Sequence, residues 1–488
     1  TETVTQGSPM KMEGEDGGCV ENLKDFIIET PVEGTLLTKK GEGWMKLNTA
    51  CPSLERLALN GGTVQCVACD KPAQTVEFMS GTLYENTGSS YAIHVPEGGS
   101  GTWSLANRST YTNKITGEGT LTIYCAVEHG NGWFATRTPV AVNLAQFTGT
   151  INATADMADT YPRFTLNTSS GMPDGTLNIT EGVTVQNTGR TFRIGKLAGK
   201  GALGGYASFA NDGATGVNTW QVGCDDDFTW AGTVTANSKF EKVGSGKMTV
   251  SGVWDNTGEV AVKEGTLCLN DRSAENAMLG SGELSVEDGA VLCGLGKLGN
   301  ASVTVERGGR LYSGTREGAS SGSLDFSGKR LTVSAGGEVM FNVASKVRCT
   351  TLEGISSFSL RGTLKVSVRE GLELEAGDEF QLWVANRTAL SSACTLDLDS
   401  PGEGLEWDTS ALENGILKVK TATGITGVVS GEPVDCVVYT LDGARAGSFT
   451  CMPSEVGEYM ERNGFRSGMY MVKMTQGQRT ESRKVTVD

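Results

Sequence analysis

The sequence predicts an all-β protein that joins a parallel β-helix, over residues 1–420, to a small antiparallel β-sandwich, over residues 425–488. Three observations support this prediction. A Gly-x-Gly-x-apolar-x-apolar pattern recurs along most of the chain, helical periodicity is nearly absent, and the pattern changes near residue 420. Apolar residues two positions apart are typical of a strand with one buried face, and glycines before each strand permit tight corners.

The pattern is clearest in residues 241–271, EKVGSGKMTVSGVWDNTGEVAVKEGTLCLND, which contain three short strands preceded by glycine. Similar segments are GEGWMKL, GEGTLTI and GSGELSV. The alternation predicts that Thr249, Lys263 and Thr266 point outward. The side chains predicted to point inward are Met248, Val250, Val260, Val262, Leu267 and Leu269.

Equivalent positions of the pattern recur at irregular intervals, and most of these intervals are in the high teens to mid-twenties of residues. Turns of that length stack their strands, so that each turn buries the apolar residues of its neighbours. A string of antiparallel sandwiches is the alternative, but it would show hairpin signals about every 8–12 residues. Only CPSLERLAL (51–59) and SEVGEYMERN (454–463) have the composition of a short helix.

The last 60 or so residues follow a different pattern. VDCVVYTLDGARAGSFT (434–450) is an alternating strand, an Asp442-Gly443 turn and a second strand, which is a hairpin signal. SGMYMVKM (467–474) and RKVTVD (483–488) supply two more strands, separated by a polar turn at residues 476–478. These elements predict the antiparallel sandwich.

Composition excludes several classes of protein. The 67 glycines among 488 residues lack the three-residue period of collagen. The net charge of −16 argues against a nucleic-acid partner, because phosphate contacts need clustered Lys and Arg. No apolar run reaches the ~20 residues of a membrane-spanning helix. The chain starts at Thr1 without a signal peptide and the strand pattern is established by about residue 26, so we expect that upstream sequence has been removed.

The twelve cysteines are too sparse for a disulfide scaffold. Cys66 and Cys69 form one CxxC, but a zinc site needs a second pair of ligands and the chain has only two histidines, His94 and His129. Buried or free thiols are the favoured interpretation, with a local disulfide as the alternative in an oxidising compartment. The sequence predicts no cofactor.

The sequence gives little sign of catalytic machinery. The acidic triplet that includes Asp225 and Asp227 is the one candidate for Ca²⁺, but neighbouring strand residues face opposite sides, so a solvated corner is favoured. No Gly-x-Ser-x-Gly elbow occurs with an acid and a histidine, and Arg193 and Lys196 lack a nearby histidine for a polygalacturonase-type site.

Tryptophans are candidates for glycan stacking, although core packing is the alternative for each of them. Five lie in the part of the chain between about residues 100 and 260: Trp103, Trp133, Trp220, Trp230 and Trp254.

Residues 242–271, KVGSGKMTVSGVWDNTGEVAVKEGTLCLND, resemble the autotransporter-associated β-strand repeat. That repeat typically has a Lys-x-Gly-x-Gly-x-Leu-x-Leu strand, an Asn-containing corner that ends in Gly, and a Gly-Thr-Leu strand. The resemblance covers roughly residues 34–419 and implies a right-handed β-helix that is secreted or exposed on a bacterial surface. It implies no particular activity, because the repeat occurs in adhesins, enzymes and stalks.

The motifs VVYTLDG, GMYMVKM and RKVTV resemble the C-terminal sorting domain of the type IX secretion system of Bacteroidetes. The resemblance implies export by machinery that reads the tail. An ordinary β cap on the end of the β-helix is the alternative. The residues that match the sorting motif are Val437, Tyr439, Asp442, Gly443, Gly468, Tyr470, Val472, Lys473, Arg483 and Lys484.

We therefore expect a non-catalytic β-helical rod, serving as an adhesin, stalk or scaffold. Its expected location is outside a Gram-negative cell or on its outer-membrane surface, peripheral to that membrane. Its expected partners are the secretion machinery and host or polysaccharide ligands, with no nucleic acid. The alternative is a polysaccharide-acting enzyme, either a lyase or a glycoside hydrolase, or the non-catalytic C-terminal part of one.

Overall fold

The prediction of an all-β fold is confirmed. The computed structural model describes residues 4–8, 10–12, 17–86, 88–105, 110–124, 126–129, 132–135, 140–155, 162–205, 217–235, 237–270, 279–422, 431–477 and 479–487, with the side chains of residues 4, 5, 126–129 and 132–135 excepted. These residues contain 46 strands, a 3-10 helix at Leu412–Asn414 and, within the described ranges, a single α-helix, α1 (Val456–Arg462).

The strands are short, as the frequent glycine corners require. The first sixteen are β1 (Val4–Gln6), β2 (Met10–Met12), β3 (Gly18–Glu21), β4 (Phe26–Ile28), β5 (Val32–Lys40), β6 (Trp44–Leu47), β7 (Leu54–Cys66), β8 (Thr75–Glu85), β9 (Ala92–Val95), β10 (Ser100–Leu105), β11 (Lys114–Gly117), β12 (Thr120–Tyr124), β13 (Ala126–His129), β14 (Gly132–Ala135), β15 (Asn143–Phe147) and β16 (Thr150–Thr154). The next sixteen are β17 (Arg163–Leu166), β18 (Met172–Ile179), β19 (Thr184–Asn187), β20 (Thr191–Gly199), β21 (Ala202–Gly205), β22 (Asn218–Val222), β23 (Phe228–Trp230), β24 (Thr233–Val234), β25 (Ser238–Lys242), β26 (Lys247–Val250), β27 (Val260–Val262), β28 (Thr266–Asn270), β29 (Leu284–Val286), β30 (Val291–Lys297), β31 (Ser302–Val305) and β32 (Arg310–Ser313). The last fourteen are β33 (Gly322–Val333), β34 (Glu338–Ser345), β35 (Arg348–Leu360), β36 (Thr363–Val368), β37 (Glu379–Gln381), β38 (Trp383–Ala385), β39 (Thr388–Leu390), β40 (Thr395–Leu398), β41 (Leu405–Asp408), β42 (Ile416–Thr421), β43 (Val434–Thr440), β44 (Arg445–Cys451), β45 (Gly468–Gln476) and β46 (Arg479–Val487).

The chain divides into two compact units. The predicted domain boundary between residues 420 and 425 stays a prediction, because the second unit also includes segments that precede it in sequence. The first unit comprises Thr1–Glu370, Phe380–Asp399 and Leu412–Ile416, and the second comprises Gly371–Glu379, Ser400–Ala411 and Leu417–Asp488.

Parallel pairing between strands that are well separated in sequence organises the first unit. β22 pairs with β25, β25 with β27, and the series continues through β29, β31, β33, β35 and β39. The interval between paired residues ranges from 19 positions, Val286 to Val305, to 30 positions, Leu360 to Leu390. One register column through these strands consists of Val222, Lys242, Val262, Val286, Val305, Val333, Leu360 and Leu390.

A second column runs through β26, β28, β30, β32, β34 and β36, and its members are all fully buried: Met248, Leu267, Leu292, Leu311, Val339 and Leu364. Because paired residues point to the same side of the sheet, each apolar side chain packs on those above and below it. The large sheet is nevertheless mixed, since β34 and β35 also pair antiparallel at Val343 and Cys349.

Glycine is required where successive corners lie against each other. Gly265 has a φ of 62°, in the left-handed region. A Cβ atom at this position would lie 2.5 Å from the carbonyl oxygens of Gly244 and Ser245. The close approach of the two corners therefore explains why glycine recurs at the start of the pattern.

The predicted alternation of residues 248–269 is confirmed. The six side chains predicted to point inward are fully buried, whereas Thr249, Lys263 and Thr266 are only partly buried. The Lys263 ammonium lies 2.8 Å from the Glu241 carboxylate on the outer side of the neighbouring strand.

Of the two segments with the composition of a short helix, one forms a strand and the other contains a helix. CPSLERLAL enters strand β7, which pairs in parallel with β5 and β8. Leu57 and Leu59, two positions apart, are both fully buried there, so strand register overrides the helix propensity of the segment. SEVGEYMERN contains α1 (Val456–Arg462).

The tail forms the predicted strands but not the predicted sandwich. β43 and β44 make an antiparallel hairpin around Asp442-Gly443, and β45 and β46 pair antiparallel across residues 476–479. Within residues 434–487, as far as the structure describes them, the four strands form a single sheet in the order β44-β43-β45-β46. Helix α1, rather than a second sheet, covers one face, because Val456 and Met460 join its apolar core.

Replacing Leu267 by Ala should destabilise the first unit by about 2–5 kcal/mol, because it leaves a cavity in a fully buried column. Lys263→Ala is the matched control on the outer side and should cost less than about 1 kcal/mol, because its ion pair with Glu241 is only partly buried. Urea unfolding followed by far-UV circular dichroism measures both. Equal losses for the two variants would contradict the inward and outward assignment.

Candidate recognition surface

The C-terminal sheet has one covered face and one open face. The covered face packs against α1 and contributes most of the tail's apolar core, whose buried members are Val434, Cys436, Val438, Cys451, Val456, Met460, Tyr470, Val472, Met474, Val485 and Val487. The open face carries the alternate residues of the same strands, because successive side chains of a strand point to opposite sides. The open face is therefore the accessible surface of this sheet.

The predicted sorting residues divide between the two faces. Val472 is fully buried and Tyr470 is 9% exposed, and the Tyr470 hydroxyl donates a hydrogen bond of 2.9 Å to the carbonyl of Arg466. Arg483 is aligned with Val472, and its guanidinium donates to the carbonyl of Pro453 at 3.3 Å and to Glu481 at 3.1 Å. These three residues hold the tail together.

Four of the other sorting residues line the open face in two rows. In one row, Val437 is aligned with Lys473, and Lys473 with Ser482. In the next, Tyr439 is aligned with Met471, and Met471 with Lys484. Both lysines are exposed, whereas Val437 and Tyr439 are partly buried. The strand register thus gathers residues from three strands onto one surface, which we call the open-face surface.

Two methionines of this surface were not identified from the sequence. Met469 is 46% exposed and aligned with Thr486, and Met471 is 37% exposed and aligned with Lys484. Methionine adapts its shape to a contacting surface. The signal was present in GMYMVKM, because the alternation that buries Tyr470 and Val472 necessarily exposes both methionines.

The remaining motif residues lie in the hairpin turn, Asp442 and Gly443, and at the start of β45, Gly468. The Thr440 hydroxyl donates to the Asp442 carboxylate, and this hydrogen bond lowers the pKa of Asp442. Gly443 has a φ of 90° and its N–H donates to the Thr440 carbonyl at 2.9 Å. Gly468, with a φ of 153°, begins β45 opposite Val487.

The acidic triplet does not converge on one point. The Asp225 carboxylate accepts hydrogen bonds from Ser245, including one of 2.7 Å from its hydroxyl, and these bonds lower the pKa of Asp225. Asp227 accepts the backbone N–H of Lys247 at 2.8 Å, and Asp226 lies 2.6 Å from the Lys196 ammonium. Each carboxylate thus bonds a different residue, so the candidate Ca²⁺ ligands are structural contacts at a corner.

The candidate glycan-binding tryptophans lie in the core. Trp103, Trp220 and Trp230 are fully buried and Trp254 is 2% exposed, so their ring faces contact protein rather than solvent. Trp254 packs against Trp230 and Phe240, with ring centroids 5.9 and 4.6 Å away. The hypothesis of glycan contacts through these four residues is therefore corrected to core packing. The side chains of Trp133 and His129 lie outside the described part of the structure.

The CxxC cysteines are also buried. Cys66 and Cys69 are both fully inaccessible to solvent, and the hydrogen bond between the two thiols, together with burial, raises the pKa of Cys66. Among the residues that the structure describes, no group of three His, Cys, Asp or Glu side chains is placed to hold a metal ion.

A buried carboxyl group lies next to Cys66 in the register of β7 and β8. Glu85 is fully buried and accepts hydrogen bonds from the Tyr91 hydroxyl and, at 3.0 Å, from the Trp103 indole N–H. Burial raises the pKa of Glu85 to about 7, although these hydrogen bonds oppose the shift. This group could not be identified from the sequence, because an acidic residue at a strand end is normally solvated.

A buried lysine explains the first residue of the Lys-x-Gly-x-Gly pattern. The Lys242 ammonium donates hydrogen bonds to the carbonyls of Val243 (2.9 Å), Gly244 (2.7 Å) and Glu264 (3.1 Å), and burial lowers the pKa of Lys242 to about 8. Lys39 holds the equivalent place in KKGEG and donates to the carbonyls of Lys40 and Gly41 at 2.6 and 2.7 Å. The motif lysine therefore binds the corner that follows it.

Neither a scan against models of known protein families nor a search of curated proteins finds a match for this chain. In the described ranges, no helix is both long enough and apolar enough to cross a membrane.

Replacing Glu85 by Gln should change how stability depends on pH. Because the folded pKa of about 7 exceeds the unfolded value of 4.5, the folded state holds this proton more tightly. The contribution of Glu85 to the free energy of unfolding is therefore fully present below pH 4.5. It falls by roughly 3 kcal/mol as the pH rises to about 7. Glu85→Gln, which keeps an acceptor for Tyr91 and Trp103, should therefore unfold at higher urea than the wild type at pH 8.

Urea unfolding between pH 4.5 and 8 measures this difference. Glu181→Gln, whose carboxylate is 77% exposed, is the matched control and should follow the wild type. A constant difference between Glu85→Gln and the wild type over the whole range would contradict a buried carboxyl group that titrates near pH 7.

Proposed function

We propose that this chain is an exported, non-catalytic β-helical protein, a scaffold, stalk or adhesin, whose C-terminal domain is a sorting signal for type IX secretion. The proposal places the mature protein outside a Gram-negative cell or on its outer-membrane surface. The observation that carries it is the open-face surface. Two motif residues, Lys473 and Lys484, lie on this surface with exposed side chains, beside the partly buried Val437 and Tyr439.

The β-helical part of the proposal is supported by the register columns of the first unit. Eight strands from β22 to β39 pair in parallel one after another, and their inward side chains are mainly apolar. A right-handed parallel β-helix accounts for this series, for the stacked glycine corners and for the lysines that bind them. The autotransporter-associated repeat combines these features in one motif.

A non-catalytic role is supported by what the polar side chains do. Asp225, Asp227 and Lys242 each bond a neighbouring strand or corner. Buried amides do the same: Asn256 donates to the carbonyls of Ser238 and Gly258 at 3.2 and 3.1 Å. In these positions the side chains stabilise the stacking of strands rather than leaving reactive groups directed at a substrate.

The sorting role is supported by the chemistry of the open-face surface. Lys473 and Lys484 provide positive charge beside the partly buried Tyr439 and the exposed Met471. Aromatic residues and methionine are enriched at protein interfaces, and exposed lysines steer an oppositely charged partner. The β-cap alternative requires no exposed basic residues on this face.

Reversing both lysine charges, Lys473→Glu with Lys484→Glu, should reduce export about tenfold, because two charged contacts at an interface contribute roughly 1–2 kcal/mol. The full chain would be expressed in a host with type IX machinery and quantified in periplasmic and extracellular fractions. Since both side chains are exposed, the melting temperature should stay unchanged.

Lys200→Glu is the matched control, because this lysine is 68% exposed in the first unit and should leave export intact. Deleting residues 425–488 should leave the protein in the periplasm. Normal export of the double variant and of the deletion would refute the sorting role and favour the β cap.

A glycan-binding role is a second candidate, supported by one pair of rings on the outer side of the first unit. Trp44 and Tyr84 are partly buried and stacked, with centroids 5.4 Å apart and an interplanar angle of 8°. Stacked rings with accessible area can bind sugars. Affinity electrophoresis in polysaccharide gels should show retardation that Trp44→Ala abolishes and Leu23→Ala, at an 82% exposed apolar residue, preserves. Equal mobility of all three proteins in every gel would refute this role.

A further inference from the structure

Two cysteines from neighbouring strands face each other on the outer side of the first unit. Cys268 in β28 is directly aligned with Cys293 in β30. Both are fully buried, yet they lie on the opposite side of their strands from the core residues Leu267 and Leu292. With Val291 and Tyr312 they form a small apolar cluster of their own.

The segment that follows β32 covers this cluster. The Cys268 sulfur lies 3.8 Å from the carbonyl oxygen of Thr315, and the Lys247 ammonium donates to the same carbonyl. The thiols are therefore shielded by one surface segment rather than by the core. Displacement of that segment would admit a small oxidant without separating the strands.

The two sulfurs differ in reactivity. A hydrogen bond from Cys293 and the positive charge of Lys247 lower the pKa of Cys268, whereas contact with Cys268 and burial raise the pKa of Cys293. Cys268 is thus the thiol that ionises first, and the thiolate is the nucleophile in disulfide exchange.

We propose that Cys268 and Cys293 form a disulfide that joins two neighbouring strands of the first unit. Aligned residues of adjacent strands lie about 4.8 Å apart, within the 4.4–6.8 Å between Cα atoms that a disulfide spans. The thiols of Cys436 and Cys451 are also in contact, but Cys436 is aligned with Phe449 and its backbone lies diagonally to that of Cys451. Diagonal neighbours are about 7–8 Å apart, which is beyond that range.

The reaction is an ordinary exchange with a small disulfide such as oxidised glutathione. The Cys268 thiolate attacks one sulfur of the oxidant, forms a mixed disulfide and releases one glutathione thiol. Cys293 then loses its proton, attacks the Cys268 sulfur and releases the second thiol. Two protein thiols are oxidised and one glutathione disulfide is reduced to two thiols. In the cell the bond needs an oxidising compartment and so rests on the proposed export, whereas the exchange itself can be tested on the purified chain.

Peptide mapping tests the proposal. The purified full chain is reduced, exposed to oxidised glutathione, unfolded in iodoacetamide and digested with trypsin. We expect EGTLCLNDR (264–272) to be linked to the peptide of residues 273–297, since each contains one cysteine. Cys349 and Cys394, which contact the backbone carbonyls of Gln381 and Thr395, should be alkylated. Alkylation of both Cys268 and Cys293 in the oxidised sample, or their linkage to other cysteines, would overturn the proposal.

Thermal unfolding provides a second readout. The oxidised wild type should unfold at a higher temperature than the reduced wild type, because a cross-link restricts the unfolded chain. In the double variant Cys268→Ser with Cys293→Ser, oxidant and reductant should give the same midpoint. An equal dependence on reductant in the double variant would assign the stabilisation to other cysteines and refute the pair. Neither readout involves secretion, so failure of this proposal is distinguishable from failure of the sorting role.

Discussion

Parallel backbone pairing between strands is the constraint on which the first unit depends, with paired residues from 17 positions (Thr75 to Ala92) to 32 positions (Thr363 to Thr395) apart. Because each strand's N–H and C=O groups are satisfied by the strands before and after it, the register of one pair sets the register of the next. Side chains consequently fall into columns, such as the one from Met248 to Leu364. Where the interval between paired residues is longer, the additional residues lie in the corners. The interval therefore varies while the strands keep their alternation.

The same constraint places polar groups inside, and the structure accommodates them in two ways. Lys242 lies in the apolar column between Val222 and Val262, but its long side chain reaches three backbone carbonyls at the corner. Glu85 forms no ion pair within the described part of the structure, and burial raises its pKa, which favours its neutral form in the core. A buried cation is thus stabilised by backbone dipoles, and a buried acid by retaining its proton.

Strand alternation could be predicted from the sequence, whereas the fate of individual polar and aromatic residues could not. Met248 to Leu269 follow the period-two pattern, and that pattern needs no knowledge of neighbouring strands. Lys242 is buried because a corner of another strand supplies its third acceptor, Glu264, which local spacing does not reveal. Similarly, the sequence does not show which side of a strand is covered. Trp103 and Trp220, which are fully buried, were therefore candidates for sugar binding.

In the tail, one alternating pattern both builds the apolar core and determines which side chains are exposed. Tyr470 and Val472 face α1, while Met471 and Lys473, which separate and follow them, face solvent. A sequence motif for this region therefore mixes residues with different roles, and equal prominence in the motif does not imply equal function. The sandwich prediction failed for a related reason: a short helix of seven residues covers the apolar face, so a second sheet is not needed. In the described part of the tail, the opposite face carries the exposed side chains of Met469, Met471, Lys473 and Lys484, because the strand alternation that buries Tyr470 and Val472 turns their neighbours outward.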